Sequence, residues 1–91
     1  MILGKICGTI VATKKDENLV GFKFLIVEEL TVERKPAGKF YITVDTVGAG
    51  AGEVVLVVTG SSARQTAKTD KKPVDAAVVA IVDTISLTKA K

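Results

Sequence analysis

Two stretches of the sequence carry residue types and spacings that suggest chemistry. The first is Thr46–Glu53, with glycine at positions 48, 50 and 52, and the second is the pair Ser61 and Ser62. A glycine-rich turn can bind phosphate through free backbone amides, and a serine can act as a nucleophile when a base activates it. The sequence therefore raises two hypotheses, a nucleotide-binding loop and a hydrolytic site.

Neither hypothesis agrees with the surrounding residues. A dinucleotide-binding loop has G-x-G-x-x-G spacing and opens a helix, whereas these glycines have G-x-G-x-G spacing and precede Val54–Val58, a β-branched run typical of a buried strand. The serines lack a base, because the chain contains no histidine. We interpret the first stretch as a glycine hinge between two strands and the second as a short capped turn. The chain is therefore predicted to be a structural protein and not an enzyme.

Composition also argues against metal, redox and cofactor sites. A single cysteine, Cys7, cannot form an intrachain disulfide or a zinc site without histidine, and it is compatible with a reducing cytoplasm. We interpret Cys7 as a small strand residue, and we predict no metal and no cofactor. The carboxylates near strand ends are far apart in sequence and are predicted to form loop or interface hydrogen bonds; they are Asp45, Glu53, Asp75 and Asp83.

The size and hydrophobicity of the chain predict self-association. We expect one domain over residues 1–91, with residues 88–91 as a frayed tail. A domain this small buries only about 60% of its unfolded surface, yet 47% of its residues are hydrophobic. No run is long enough for a membrane span or a signal peptide, so a homo-oligomer is the simplest way to bury the surplus.

The pattern of apolar residues predicts an all-β protein. A capping-box spacing from Ser62 to Gln65 predicts one short helical turn over residues 62–67, before the last strand. Five strands with such a turn suggest a small closed barrel of the oligonucleotide-binding type, because closure removes exposed sheet edges. The strands are predicted at 2–13, 22–32, 40–47, 54–59 and 76–87.

The apolar faces of these strands bear on the choice between two functions. The last two strands are apolar on both faces, which predicts that their outward faces meet neighbouring subunits. The alternative is a nucleic-acid-binding module, which needs exposed aromatic residues interleaved with positive charge. The chain has no tryptophan, its net charge of +3 is spread over loops of both signs, and Phe22, Phe24 and Phe40 are predicted to pack in the core.

Four segments together resemble the EutN/CcmL family of bacterial microcompartment vertex proteins. They are Met1–Gly4, the glycine stretch, the G-S-S-A-R segment at 60–64 and the apolar segment 73–83. The resemblance extends from Met1 to about Leu87.

The resemblance implies a cytoplasmic shell protein without catalytic activity. Its expected partners are four further copies of itself, in a cyclic pentamer that caps a vertex, and the hexameric proteins that tile the shell, with neither nucleic acid nor membrane. It also implies a glycine loop towards the five-fold axis and a subunit interface at Ser61, Ser62 and Arg64. The axis loop comprises Gly48, Ala49, Gly50, Ala51, Gly52 and Glu53.

Overall fold

The fold is a closed five-stranded barrel, as the sequence predicts. A computed structural model describes residues 1–88, so most of the tail predicted to fray lies outside the described residues. The strands follow the order β1-β2-β3-β5-β4 around the barrel, and all neighbours are antiparallel except the parallel pair β3 and β5. Their bounds are β1 Ile2–Ile10, β2 Phe24–Leu30, β3 Pro36–Asp45, β4 Val54–Thr59 and β5 Ala76–Ile81.

The predicted helix is a 3₁₀ turn that begins earlier than expected. It spans Gly60–Arg64, with Thr59 at its N-cap and no side-chain capping hydrogen bond, so the capping box at Ser62 and Gln65 is wrong. A second 3₁₀ turn, Glu17–Leu19, lies in the loop between β1 and β2, where Asp16 accepts a hydrogen bond from the Asn18 amide.

Several strand ends also differ from the predictions. β1 ends three residues early, after a bulge between Ile6 and Gly8, and β5 ends at Ile81 instead of residue 87. β3 begins at Pro36, because the chain reverses through Thr31–Lys35, where Arg34 adopts φ +66°. The predicted start of β3 at residue 40 is therefore four residues too late.

The barrel interior holds one apolar core from alternate residues of the strands. Val27 and Val55 are fully buried there, and the β1 backbone approaches β2 closely. A Cβ atom at Gly4 would overlap Val27 Cγ1 and lie 2.8 Å from the Glu28 carbonyl oxygen, so this strand needs glycine there. The buried core residues are Ile6, Leu25, Val27, Ala49, Val55, Val57, Ala76 and Val78.

A second apolar cluster lies on the outer face of the sheet and corrects two predictions. Phe22 and Phe24 pack there, outside the barrel, against buried Ala63 and Val74. The predicted core face of β2 is therefore wrong, because Leu25 and Val27 point inward. The cluster also covers Ala77 and half-buried Val58, so part of the outward apolar surface of β4 and β5 is buried by the chain itself.

Two other apolar patches remain accessible on different sides of the barrel. Phe40 and Ile42 on β3 are 60% and 52% exposed, so the prediction that Phe40 packs in the core is wrong. Leu3 and Leu56 are paired across β1 and β4 and are half-buried. The barrel thus carries one apolar patch on β3 and another on the β1–β4 seam.

Candidate functional site

The glycine loop, residues 46–53, connects β3 to β4 and is organised by one carboxylate. Asp45, the last residue of β3, accepts hydrogen bonds at Oδ1 from the amides of Val47, Gly48 and Ala49, at 3.1, 3.2 and 3.2 Å. Aspartate side chains bind the backbone a few residues onward in this way at turns, and the negative charge strengthens each bond. One side chain therefore fixes the first half of the loop.

Lys23 holds the same loop from the side. Its Nζ lies 3.4 Å from Asp45 Oδ2 and donates a hydrogen bond to the Ala49 carbonyl oxygen at 2.5 Å. The Asp45 side chain is only 6% exposed, whereas that of Lys23 is 50% exposed. The ion pair joins the chain just before β2 to the end of β3, and both charged groups also bind the loop backbone.

The loop is also tied to the barrel at both ends, so it is not the hinge that the glycines suggest. The Thr46 hydroxyl donates to the Val78 carbonyl oxygen at 2.7 Å, and the Gly52 amide donates to the Ile6 carbonyl oxygen at 2.9 Å. The methyl group of Ala49 is fully buried in the inner core. The loop therefore closes one end of the barrel as a fixed element.

The three loop glycines differ in whether the backbone conformation requires glycine at their positions. Gly48 and Gly52 adopt φ +79° and +82°, which L side chains rarely adopt. Gly50 has no positive φ, and a Cβ there would meet only Glu53 Oε1, at an ordinary contact distance of 3.6 Å. The isolated subunit thus explains the glycine at 48 and at 52 but not the one at 50.

Glu53, which the resemblance assigns to the axis loop, has a role within its own loop. Its Oε1 accepts a hydrogen bond from the Gly50 amide at 2.7 Å, and the Glu53 amide donates to the Gly50 carbonyl oxygen at 3.2 Å. These two bonds close a tight turn around exposed Ala51. Gly50 is therefore the half-buried first residue of this turn and directly precedes its exposed tip at Ala51.

The second predicted site, Ser61, Ser62 and Arg64, lies at the other end of β4. These side chains are exposed on the 3₁₀ turn, and Arg64 Nη1 donates to the Val74 carbonyl oxygen at 3.0 Å. Six strand residues separate the turn from the glycine loop, which is roughly 20 Å at the usual rise per residue. The structure therefore does not bring the two predicted sites together.

Two further polar contacts lie outside these sites. Cys7 is exposed on β1, and its thiol lies 3.6 Å from the Ile26 carbonyl oxygen. The Tyr41 hydroxyl donates to Glu29 Oε1 at 3.0 Å, and this hydrogen bond, with the negative charge of Glu29, raises the pKa of Tyr41 above 10.0. Within residues 1–88 there is no group of three side chains suited to a metal ion.

Sequence reasoning missed Lys23, whereas Asp45 forms loop hydrogen bonds of the kind predicted for the carboxylates near strand ends. Asp45 directly precedes a glycine-rich turn, a position from which aspartate commonly binds loop amides, so its role had a local signal. Lys23 had none, because it lies 22 positions before Asp45 in the sequence.

Comparison with known proteins identifies the family. Residues 1–83 match the family described as ethanolamine utilisation protein EutN/carboxysome. The bacterial microcompartment shell vertex protein GrpN of Rhodospirillum rubrum is 54% identical over 85 residues, covering 93% of this chain and 96% of that protein. The carboxysome shell vertex protein CcmL of Thermosynechococcus vestitus is 44% identical over 86 residues, covering 94% of this chain and 87% of that one.

A solved structure has the same fold. It is the GrpN pentameric microcompartment shell protein from Rhodospirillum rubrum, with a TM-score of 0.89 and 51% identity, covering 97% of this chain and all of that chain (100%). These relatives do not support the alternative of a nucleic-acid-binding module. With a matching family over most of its length and relatives above 40% identity, this chain belongs to the EutN/CcmL family.

Proposed function

We propose that this protein is a structural subunit that forms a homopentamer at the vertices of a bacterial microcompartment shell. The observation that carries the proposal is the 51% identity, over 97% of the chain, to a structure described as a pentameric microcompartment shell protein. Its role is assembly, not catalysis, and its location is the shell, where it meets hexameric shell proteins. Among residues 1–88, no helix has the length and apolar character to cross a membrane.

The two accessible apolar patches support a cyclic assembly. A closed ring with head-to-tail contacts needs two different surfaces on each subunit, since each copy offers one surface to each neighbour. Phe40 and Ile42 on β3 offer one apolar surface, and Leu3 and Leu56 on the β1–β4 seam offer another. In such a ring both patches of each subunit would be buried, which removes from water the apolar surface that a barrel of this size leaves exposed.

Gly50 supports placement of the glycine loop towards the ring axis. The subunit itself has room for a Cβ there and imposes no positive φ, so a partner's close approach would account for the missing side chain. Five loops that converge on an axis require a residue without a side chain, because the backbone of each loop must pass close to that of its neighbour.

The G-S-S-A-R turn is proposed as a second contact region. Arg64 donates one hydrogen bond to the Val74 carbonyl oxygen, and its planar guanidinium has further N–H groups suited to carbonyl oxygens of another subunit. Ser61 and Ser62 are exposed beside it and can add hydrogen bonds at the same boundary.

Native mass spectrometry of the purified full-length chain tests the proposal. The expected result is a dominant species of five chains of 9.5 kDa each at micromolar concentration. A protein that remains monomeric there would contradict it. Co-expression with hexameric shell proteins then tests the vertex role: closed shells should form with this chain, and open or tubular sheets without it.

A further inference from the structure

We propose that Asp45, assisted by Lys23, is a positioning residue. It holds the glycine loop in the conformation needed for ring assembly before the subunit contacts a neighbouring subunit. The inference rests on the proposed function, since it concerns how the loop becomes ready for neighbouring loops. It goes beyond that function by assigning this role to two side chains that lie behind the loop, away from its exposed tip.

Several backbone donors converge on one buried oxygen of Asp45. Three consecutive amides, those of Val47, Gly48 and Ala49, donate to Asp45 Oδ1, and the carboxylate is 6% exposed, so water competes little for it. Consecutive amides that point at one anion form a concave nest, a conformation that this anion stabilises. The carboxylate thus selects one path for the chain immediately before Gly50.

Lys23 binds the same segment through its positive charge. Its ammonium group donates to the Ala49 carbonyl oxygen and faces Asp45 Oδ2. Both the amide and the carbonyl of Ala49 are therefore held by charged side chains, while its methyl group is buried in the core. The residue that precedes Gly50 is fixed at three points.

A loop segment with this many glycines needs side chains that restrict its backbone. Three glycines within five residues give the unfolded loop much backbone freedom, and order that is absent before association must be gained during it. A loop already fixed in the free subunit associates without that loss of entropy. Asp45 and Lys23 therefore act on ring assembly through the loop, without touching the neighbour.

The experiment compares ring assembly with barrel stability in full-length variants. Asp45→Ala removes every bond to the carboxylate, Asp45→Asn keeps an oxygen for the amides but loses the ion pair, and Lys23→Met removes the opposite charge. Thr43→Val is the matched control, because Thr43 lies on the same strand two residues before Asp45, but its buried hydroxyl donates to the Leu25 carbonyl oxygen and not to the loop. Native mass spectrometry over a dilution series gives the ring dissociation midpoint, thermal unfolding gives stability, and amide hydrogen exchange reports on residues 47–49.

The expected result is a dissociation midpoint raised by about tenfold or more in Asp45→Ala, with smaller rises in Asp45→Asn and Lys23→Met. Exchange at residues 47–49 should accelerate in the same order, while Thr43→Val lowers thermal stability with an unchanged midpoint. An unchanged midpoint in the loop variants, or an equal rise in Thr43→Val, would overturn the proposal. If Asp45→Ala does not fold, Asp45→Asn and Lys23→Met decide by the same criteria.

The wild-type sample separates this proposal from the one on which it rests. A wild-type chain that is not a pentamer refutes the proposed function itself. A pentameric wild type with unaffected loop variants refutes only the positioning role of Asp45 and Lys23.

Discussion

Glycine is used for different reasons in strand β1 and in the loop between β3 and β4. In β1 the reason lies within the subunit, because a side chain at Gly4 would collide with Val27 and with the backbone of Glu28. At Gly50 the subunit offers no such reason, since a methyl group fits and the backbone has no positive φ. Gly4 is thus explained by the fold of the subunit. Gly50 is not, and its lack of a side chain points to a contact outside the subunit.

The largest effect on folding is expected at Gly4. Gly4→Ala places a methyl group into Val27 Cγ1 and 2.8 Å from the Glu28 carbonyl oxygen, and backbone atoms cannot move aside cheaply. We expect a loss of about 1–3 kcal/mol or more in the free energy of unfolding. Thermal unfolding at a fixed protein concentration measures it.

Gly8→Ala is the matched control for this change. Its Cβ would meet the flexible end of Ile26, with Cδ1 at 3.2 Å, so a smaller loss is expected. Equal stability of Gly4→Ala and the wild type would remove the distinction between the two glycines.

The largest effect on assembly is expected at Gly50. If the loops converge on the ring axis as proposed, Gly50→Leu should reduce the pentamer strongly, because five branched side chains cannot share that space, while the barrel folds normally. Native mass spectrometry together with thermal unfolding of the dissociated subunit separates the two effects. A Gly50→Leu variant that forms pentamers as readily as the wild type would show that the loop lies away from the interface.

Gly48→Ala should give an intermediate effect of a different kind. Nothing lies within 4 Å of a Cβ at this position, but φ is +79°, so the cost comes from backbone strain, about 1 kcal/mol in unfolding free energy. This loss should appear in subunit stability, in contrast to Gly50→Ala, for which the subunit has room. If the two alanine variants have the same subunit stability, the backbone distinction between these glycines is wrong.

The smallest effect is a shift in the titration of Tyr41, the single tyrosine of the chain. The Glu29 carboxylate accepts a hydrogen bond from the phenol and repels the phenolate, so the pKa of Tyr41 lies above 10.0. The stability that the Tyr41–Glu29 hydrogen bond contributes is therefore present at neutral pH and is lost as the pH rises through the pKa of Tyr41. Glu29 stands opposite Gly4 in the β1–β2 register, so phenolate absorbance also reports on this end of the barrel.

Glu29→Gln should lower the pKa of Tyr41 towards 10.0, Gly4→Ala should lower it partly, and Gly50→Leu should leave it unchanged. A shift in Gly50→Leu as large as that in Gly4→Ala would mean that the loop substitution disturbs the barrel.

The barrel could be predicted from the sequence because alternating apolar residues and turn residues are local signals. The faces of β2 could not, since both faces are apolar and the choice depends on Ala63 and Val74, which reach the outer cluster from distant positions. The end of β5 was missed for a related reason: residues 82–87 continue an apolar pattern but leave the sheet after Val82 donates to the Val54 carbonyl oxygen.

The glycine loop could be located from the sequence, but the contacts that hold it could not be predicted. Glycines at 48, 50 and 52 mark the loop, yet only the backbone angles distinguish those that the turn requires from Gly50. The role of Asp45 follows a local rule, whereas Lys23 depends on the tertiary fold that brings β2 beside β3.

The most direct test of the account is a structure of the assembled ring at side-chain detail, by electron cryomicroscopy or crystallography. The account predicts five copies with the Gly50 backbone among the atoms nearest the symmetry axis and in contact with the neighbouring loop, and with Asp45 still bound to the three loop amides. A ring in which residues 46–53 lie on the outer rim would contradict it.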